Sequence, residues 1–188
     1  MTYEKLDNDE LLRIALDAVN HDRHADAVGL LKTLLERDPR HVFGTYLLAA
    51  EHAQIGMMDR AEEGFARTLA LAPEFPMARF QLGQMLLLRG RAEAARETLA
   101  PLAQLPAGQA LPHYARGLVA ASEEDAAGAI AHLRAGLACP QEIPALAADM
   151  RRVIDNLQAI AGGAPPAPVA PAPSAASLFL SGYGKSRN

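Results

Sequence analysis

An all-α fold of four stacked helix-turn-helix repeats is predicted by three features of this 188-residue chain. Alanines recur every 34 residues at Ala27, Ala61, Ala95 and Ala129. A large apolar residue follows each of them by four positions: Leu31, Phe65, Leu99 and Leu133. Half of the residues are apolar, mostly Ala and Leu, while aromatics reach only 5% and Trp is absent. Ala and Leu are strong helix formers and neither is favoured in strands, so closely packed helices are expected rather than sheets.

Taken in order, the repeats are predicted over 8–41, 42–75, 76–109 and 110–143, each an antiparallel pair of helices A and B. Asp7 and Glu10 have the spacing of a capping box and should start the first helix. At the eighth position of each repeat stands a small residue (Ala15, Ala49, Gly83, Gly117), which lets the A and B backbones approach. The alanine at the twentieth position does the same from helix B, and the apolar residue four further on fills the space between. Asp22, Gly56, Gly90 and Glu124 share the register of the A–B turn, where Gly56 and Gly90 supply a left-handed residue. Pro39 and Pro73 close the first two repeats. Pro101 falls inside the second helix of the third, where it removes a backbone hydrogen bond and clashes with the preceding turn. That helix should stop near Leu99–Ala100, leaving Gln104–Gly108 as a longer connection. A ninth, capping helix is predicted over 144–161. Pro144 suits its first turn, with Leu146, Met150, Val153, Ile154 and Leu157 inward and Asp149, Arg151, Arg152, Asp155 and Gln158 opposite. Beyond the 1–161 repeat region, 162–176 reads as a Pro/Ala linker, disordered or polyproline-like. Residues 177–188 read as a terminal peptide with an apolar cluster, Leu178, Phe179, Leu180 and Tyr183, followed by Lys185 and Arg187.

The pattern resembles the tetratricopeptide-repeat (TPR) family, whose 34-residue unit reads Leu-Gly-x-x-Tyr, then Ala-x-x-x-Phe, then Pro. The third repeat gives Leu82-Gly83-x-x-Leu86 and Ala95-x-x-x-Leu99. The second gives Leu48-Ala49-x-x-His52, Ala61-x-x-x-Phe65 and Pro73. The chain departs from the family in lacking its Trp, in carrying Arg116 where Leu is usual, and in placing Pro140 one position early.

That resemblance implies protein binding on the concave side, lined by positions 2, 5, 9 and 12 of each repeat. These positions hold Asp9, Leu12, Leu16 and Val19; Phe43, Tyr46, Ala50 and Ala53; Met77, Phe80, Gln84 and Leu87; Leu111, Tyr114, Leu118 and Ala121. Of these, Leu12, Leu16, Phe43, Tyr46, Met77, Phe80, Gln84, Leu87, Tyr114 and Leu118 are the expected groove. The Lys and Asn clamp by which some TPR domains hold acidic C-termini has no counterpart. Leu12, Leu16, Leu47, Met77 and Gln81 stand at its positions, so a carboxylate would find no cation there. An apolar or helical client fits better.

Other functions find less support. The formal charge of −4 divides into +2 on 162–188 and −6 on 1–161, against nucleic-acid binding. The N-terminus lacks an apolar signal region, and no apolar run is long enough to span a membrane. A single cysteine, Cys139, admits no internal disulfide. A soluble, cytoplasmic and bacterial protein without cofactor is expected. Gly184-Lys185-Ser186 echoes a phosphate-binding loop, but Phe179 stands where its first glycine belongs. His21 and His24 read as a solvated turn, His52 as a packed and hydrogen-bonded residue. Neither a metal set nor a catalytic constellation is found, so no enzyme is expected. Two functions remain: an adaptor or chaperone holding an apolar client segment, or an assembly component whose own C-terminal peptide docks in cis or in trans.

Overall fold

A computed structural model describes residues 6–162. Within them the chain is helical throughout, with no strand. The A helices are α1 (Asn8–Asn20), α3 (Val42–Gln54), α5 (Pro76–Leu88) and α7 (Ala110–Ser122). The B helices are α2 (His24–Arg37), α4 (Met58–Leu71), α6 (Ala92–Leu99) and α8 (Ala126–Ala138). All A helices start 34 residues apart, and so do all B helices, as the alanine repeat requires. α9 (Pro144–Ala161) follows. The linker beyond Gly162 and the 177–188 peptide lie outside the described residues.

Each local signal has a physical counterpart. Asp7 and Glu10 make a reciprocal capping box on α1, with Asp7 Oδ1 accepting from the Glu10 N–H at 2.8 Å. The four A–B turns share one geometry. The sixteenth residue of each repeat donates its N–H to the eleventh: Arg23 to Ala18, Met57 to His52, Arg91 to Leu86 and Asp125 to Ala120, at 2.8–3.0 Å. The residue before it is left-handed in every case, Gly56 at φ 79° and Gly90 at 71°, but also Asp22 at 55° and Glu124 at 62°. These are Schellman caps, which satisfy the last carbonyls of each A helix.

Pro101 acts as expected. α6 has eight residues where α2 and α4 have fourteen, and the chain continues as a 3-10 turn over Ala100–Gln104. The repeat alanines Ala27, Ala61, Ala95 and Ala129 are fully buried, with Leu31, Phe65, Leu99 and Leu133 beside them. A methyl group on Gly117 would meet the Leu133 side chain at 2.6 Å and the Ala129 carbonyl at 3.2 Å, so α7 and α8 touch backbone to backbone there.

α9 departs from expectation at one residue. Leu146, Met150 and Ile154 are buried and Arg151, Arg152, Asp155 and Gln158 lie toward solvent, but Asp149 is buried too. It lies at the edge of the apolar stripe, beside Leu146 and Val153 on the helix wheel, and Arg152 one turn on pairs with its carboxylate. The chain divides into two compact units, one ending at Ala78 and the other beginning at Arg79, within α5.

Candidate functional site

In the first unit, the A-helix face splits by burial. Leu12 and Leu16 on α1 and Phe43 on α3 are half-buried, whereas Tyr46 is fully buried. Tyr46 stands at the centre of an aromatic cluster, with ring centroids 6.2 Å from Phe43, 6.0 Å from Phe65 and 4.9 Å from Phe75. Met77 is buried at 8% exposure. In the second unit, Gln84 and Leu87 on α5 keep partial exposure, while Phe80, Tyr114 and Leu118 are buried. Tyr114 donates its hydroxyl to Gln141 Oε1 at 2.7 Å. Burial raises the Tyr114 pKa, which the Gln141 bond partly offsets. Thus Leu12, Leu16, Phe43, Gln84 and Leu87 offer surface, and Tyr46, Phe80 and Tyr114 hold the helices together beneath it. Leu178, Phe179, Leu180, Tyr183, Lys185 and Arg187 lie outside the described residues.

A buried polar group that the sequence does not announce lies where α2 begins. Glu51 on α3 is fully buried. Its Oε2 lies 2.8 Å from Nδ1 of His24, 27 residues away, while Oε1 has no partner among the described residues. Burial raises the Glu51 pKa above its ordinary 4.5; the His24 bond and charge oppose this, and Asp22 adds to it. His24 therefore braces α2 against α3 instead of sitting in a solvated turn, while His21 stays exposed beside Asp17. His52, next along α3, is packed as expected, at 7% exposure, but its Nε2 has no hydrogen-bond partner among the described residues. Its pKa is lowered by burial first and then by Lys32 and Arg60. Among the described residues, no group of three or more His, Cys, Asp and Glu could hold a metal ion, and no helix is long and apolar enough to cross a membrane.

The second unit also holds a cleft of about 370 Å³ between α6 with its 3-10 turn, α7 and α8. Leu99, Ala100, Ala103, Ala115, Val119 and Ala120 form its apolar lining; Arg96, Arg116, Glu123, Asp125 and His132 form its polar part. The residues that line it sit outside the positions expected to face a partner. The signal lay in Arg116, an arginine at a Leu position, and in Pro101.

Known structures share the fold. A thermophilic TPR protein of Thermus thermophilus matches with a TM-score of 0.68 at 22% identity, over 84% of each chain. The fragment of MamA from residue 41 to its end, from Desulfovibrio magneticus RS-1, matches with a TM-score of 0.61 at 20% identity, over 82% of this chain and 89% of that one. A further crystal structure of MamA gives 0.58 at 20% identity, over 80% of this chain and 85% of that one. No protein-family model matches the sequence, and neither does any curated protein.

Proposed function

We propose that this TPR-fold chain is a protein-interaction adaptor that holds an apolar or helical segment of a client on its A-helix face. The observation that supports this most is the set of half-buried apolar side chains at partner-facing positions, Leu12, Leu16 and Phe43 in one unit and Leu87 in the other. Aliphatic and aromatic side chains left half-open over a fully packed layer suit a ligand that buries them, and no cation interrupts the expected positions. The setting is a reducing cytoplasm, with a chaperone-like role toward the client.

Substitution at Tyr46 or Phe80 would unfold the layer beneath and say nothing about binding, because both are fully buried. Phe43→Glu with Leu87→Glu is the informative pair. The full chain and this variant are used as bait in the native host, with circular dichroism to show equal helicity. Loss of the same captured partners by a folded variant supports the adaptor; unchanged capture refutes it.

A second reading has the tail as the occupant. Its +2 charge opposes the −6 of the remainder, and Leu178, Phe179, Leu180 and Tyr183 match an apolar face. Burying each of the three aliphatic and aromatic residues at 178–180 would yield roughly 1.5–3 kcal/mol, offset by ordering about ten residues. Docking in trans would make dimers or chains. Light scattering of the full chain and of one ending at Gly163 separates these readings: equal mass and equal partner affinity eliminate the tail.

A further inference from the structure

The two units of this chain are built on one register, so each serves as a control for the other. Residues 68 positions apart are equivalent, and at the seam between a B helix and the next A helix the units differ. The first unit carries Val28, Leu35, Leu47, Leu48 and His52 there, all buried or half-buried. The second carries Arg96, Ala103, Ala115, Arg116 and Ala120. Three large side chains have become alanine, and two apolar ones have become arginine. Lys32, exposed in the first unit, corresponds to Ala100. Pro101 also cuts α6 to eight residues along this same seam. The register itself does not require small residues here, since the first unit carries larger ones at the same positions.

The charges in the cleft are not balanced in use. Arg96 is engaged by Glu93 and, at 3.5 Å, by Glu123. Asp125 is spent on capping α8, its Oδ1 accepting from the Gly128 N–H at 2.8 Å. Arg116 is exposed and donates to the Ala103 carbonyl at 3.3 Å; among the described residues it has no carboxylate partner. Both acids are therefore engaged, and one guanidinium is held by a carbonyl alone, with no carboxylate to balance its charge among the described residues. His132 adds a further polar group at the wall.

The geometry points to a second binding site here, for a peptide segment of a partner protein that carries an aliphatic side chain beside an acidic one. The aliphatic group lies over Ala100, Ala103, Ala115 and Ala120, and the carboxylate pairs with Arg116, whose planar fork suits a two-oxygen acceptor. Successive residues of a helix turn by about 100°, so Arg116 and Val119 lie about 100–160° from Tyr114 and Leu118, while buried Ala115 forms the floor between the two faces. The site is therefore separate from the A-helix face, and it stands or falls independently of the adaptor reading.

The test titrates the ¹⁵N-labelled full chain with N-acetyl-Leu-Leu-Glu amide, and with the same peptide carrying Gln or Lys in place of Glu. Expected is a saturable shift of the Ala103, Ala115, Val119 and Ala120 amides by the Glu peptide, with the Gln peptide weaker by about tenfold, as loss of a charge-assisted bond implies. Arg116→Leu, which restores the Leu48 pattern, should cost the Glu peptide about the same factor while thermal unfolding stays where it was or rises. Ala103→Leu, which restores Leu35, should abolish binding of every peptide with the helices intact. Absence of saturation up to about 10 mM, equal binding of the three peptides, or Glu-peptide affinity unchanged by Arg116→Leu overturns the proposal. A synthetic 177–188 peptide serves as competitor; if it binds these amides more tightly than the Glu peptide, the occupant is this chain's own tail and the acidic-partner assignment is wrong.

Discussion

Glu51 and His52 are neighbours on α3, yet burial moves their pKa values in opposite directions, because it disfavours whichever form is charged. The raised Glu51 carboxyl holds its proton in the folded chain at pH values where the unfolded chain has released it. Stability therefore falls as pH rises from about 4.5 through the raised value, and the cost persists above it. Glu51→Gln keeps an acceptor for His24 and removes this slope, so its advantage in melting temperature should grow across that window and then level off. The depressed His52 works the other way. The unfolded chain takes up a proton below about 6.5 that the folded chain refuses, so stability drops as pH falls from there toward the folded value. His52→Leu should flatten that acid limb; parallel melting curves for variant and parent between pH 7 and 5 would contradict the assignment. Strain is the other residue-scale lever. Glu124 adopts φ 62° where Gly90 meets the same Schellman geometry at 71° without a β-carbon. Glu124→Gly should stabilise by about 1 kcal/mol in urea unfolding, the relief of left-handed strain less the added freedom of the unfolded chain.

At the scale of the helix pair, the eighth position of each repeat sets how close A comes to B. A β-carbon on Gly83 would collide with the Leu99 side chain, and one on Gly117 would collide with Leu133 and press on the Ala129 carbonyl at 3.2 Å. Leu99 ends the short α6 and can move aside, whereas a backbone carbonyl cannot. Gly117→Ala should therefore cost about 1–3 kcal/mol from overpacking, and Gly83→Ala less, since its neighbour is a side chain that can yield; the better helix propensity of alanine returns a similar part of the cost at both positions. Equal costs in equilibrium unfolding would refute the ordering. These close approaches were legible in the sequence, as was the stop at Pro101, because each depends on one residue type at one register position. Asp149 was not, since a carboxylate at the edge of an apolar stripe is polar by type and buried by angle. The His24–Glu51 contact was not legible either, because it joins residues 27 positions apart that no single-helix pattern relates. The cleft needed a different comparison, of the repeats with one another rather than with a consensus. Ala100, Ala103, Ala115 and Ala120 look like ordinary helix formers until Leu35, Leu47 and His52 show how much volume the register can hold.

Within each unit, the described helices pack on their neighbours in sequence order, and a repeat array gains its stability from nearest-neighbour faces added to weak single units. The repeat period was therefore enough to give the architecture, while the partner-facing residues were only half legible: period alone does not separate Tyr46, Phe80 and Tyr114, which carry the packing, from Phe43 and Leu87, which keep some surface. The end of the array is where this dependence is most exposed. α9 contributes Leu146, Met150 and Ile154 to burial against α8, and nothing described follows it. Met150 is fully buried, so Met150→Ala should cost about 2–5 kcal/mol. In a nearest-neighbour array that loss is local, so hydrogen exchange should quicken in α9 and α8 first, then in α7, while amides of α1–α4 keep their protection. A uniform loss of protection over α1–α4 as well as α7–α9 would contradict this and mean that the helices unfold as one cooperative body.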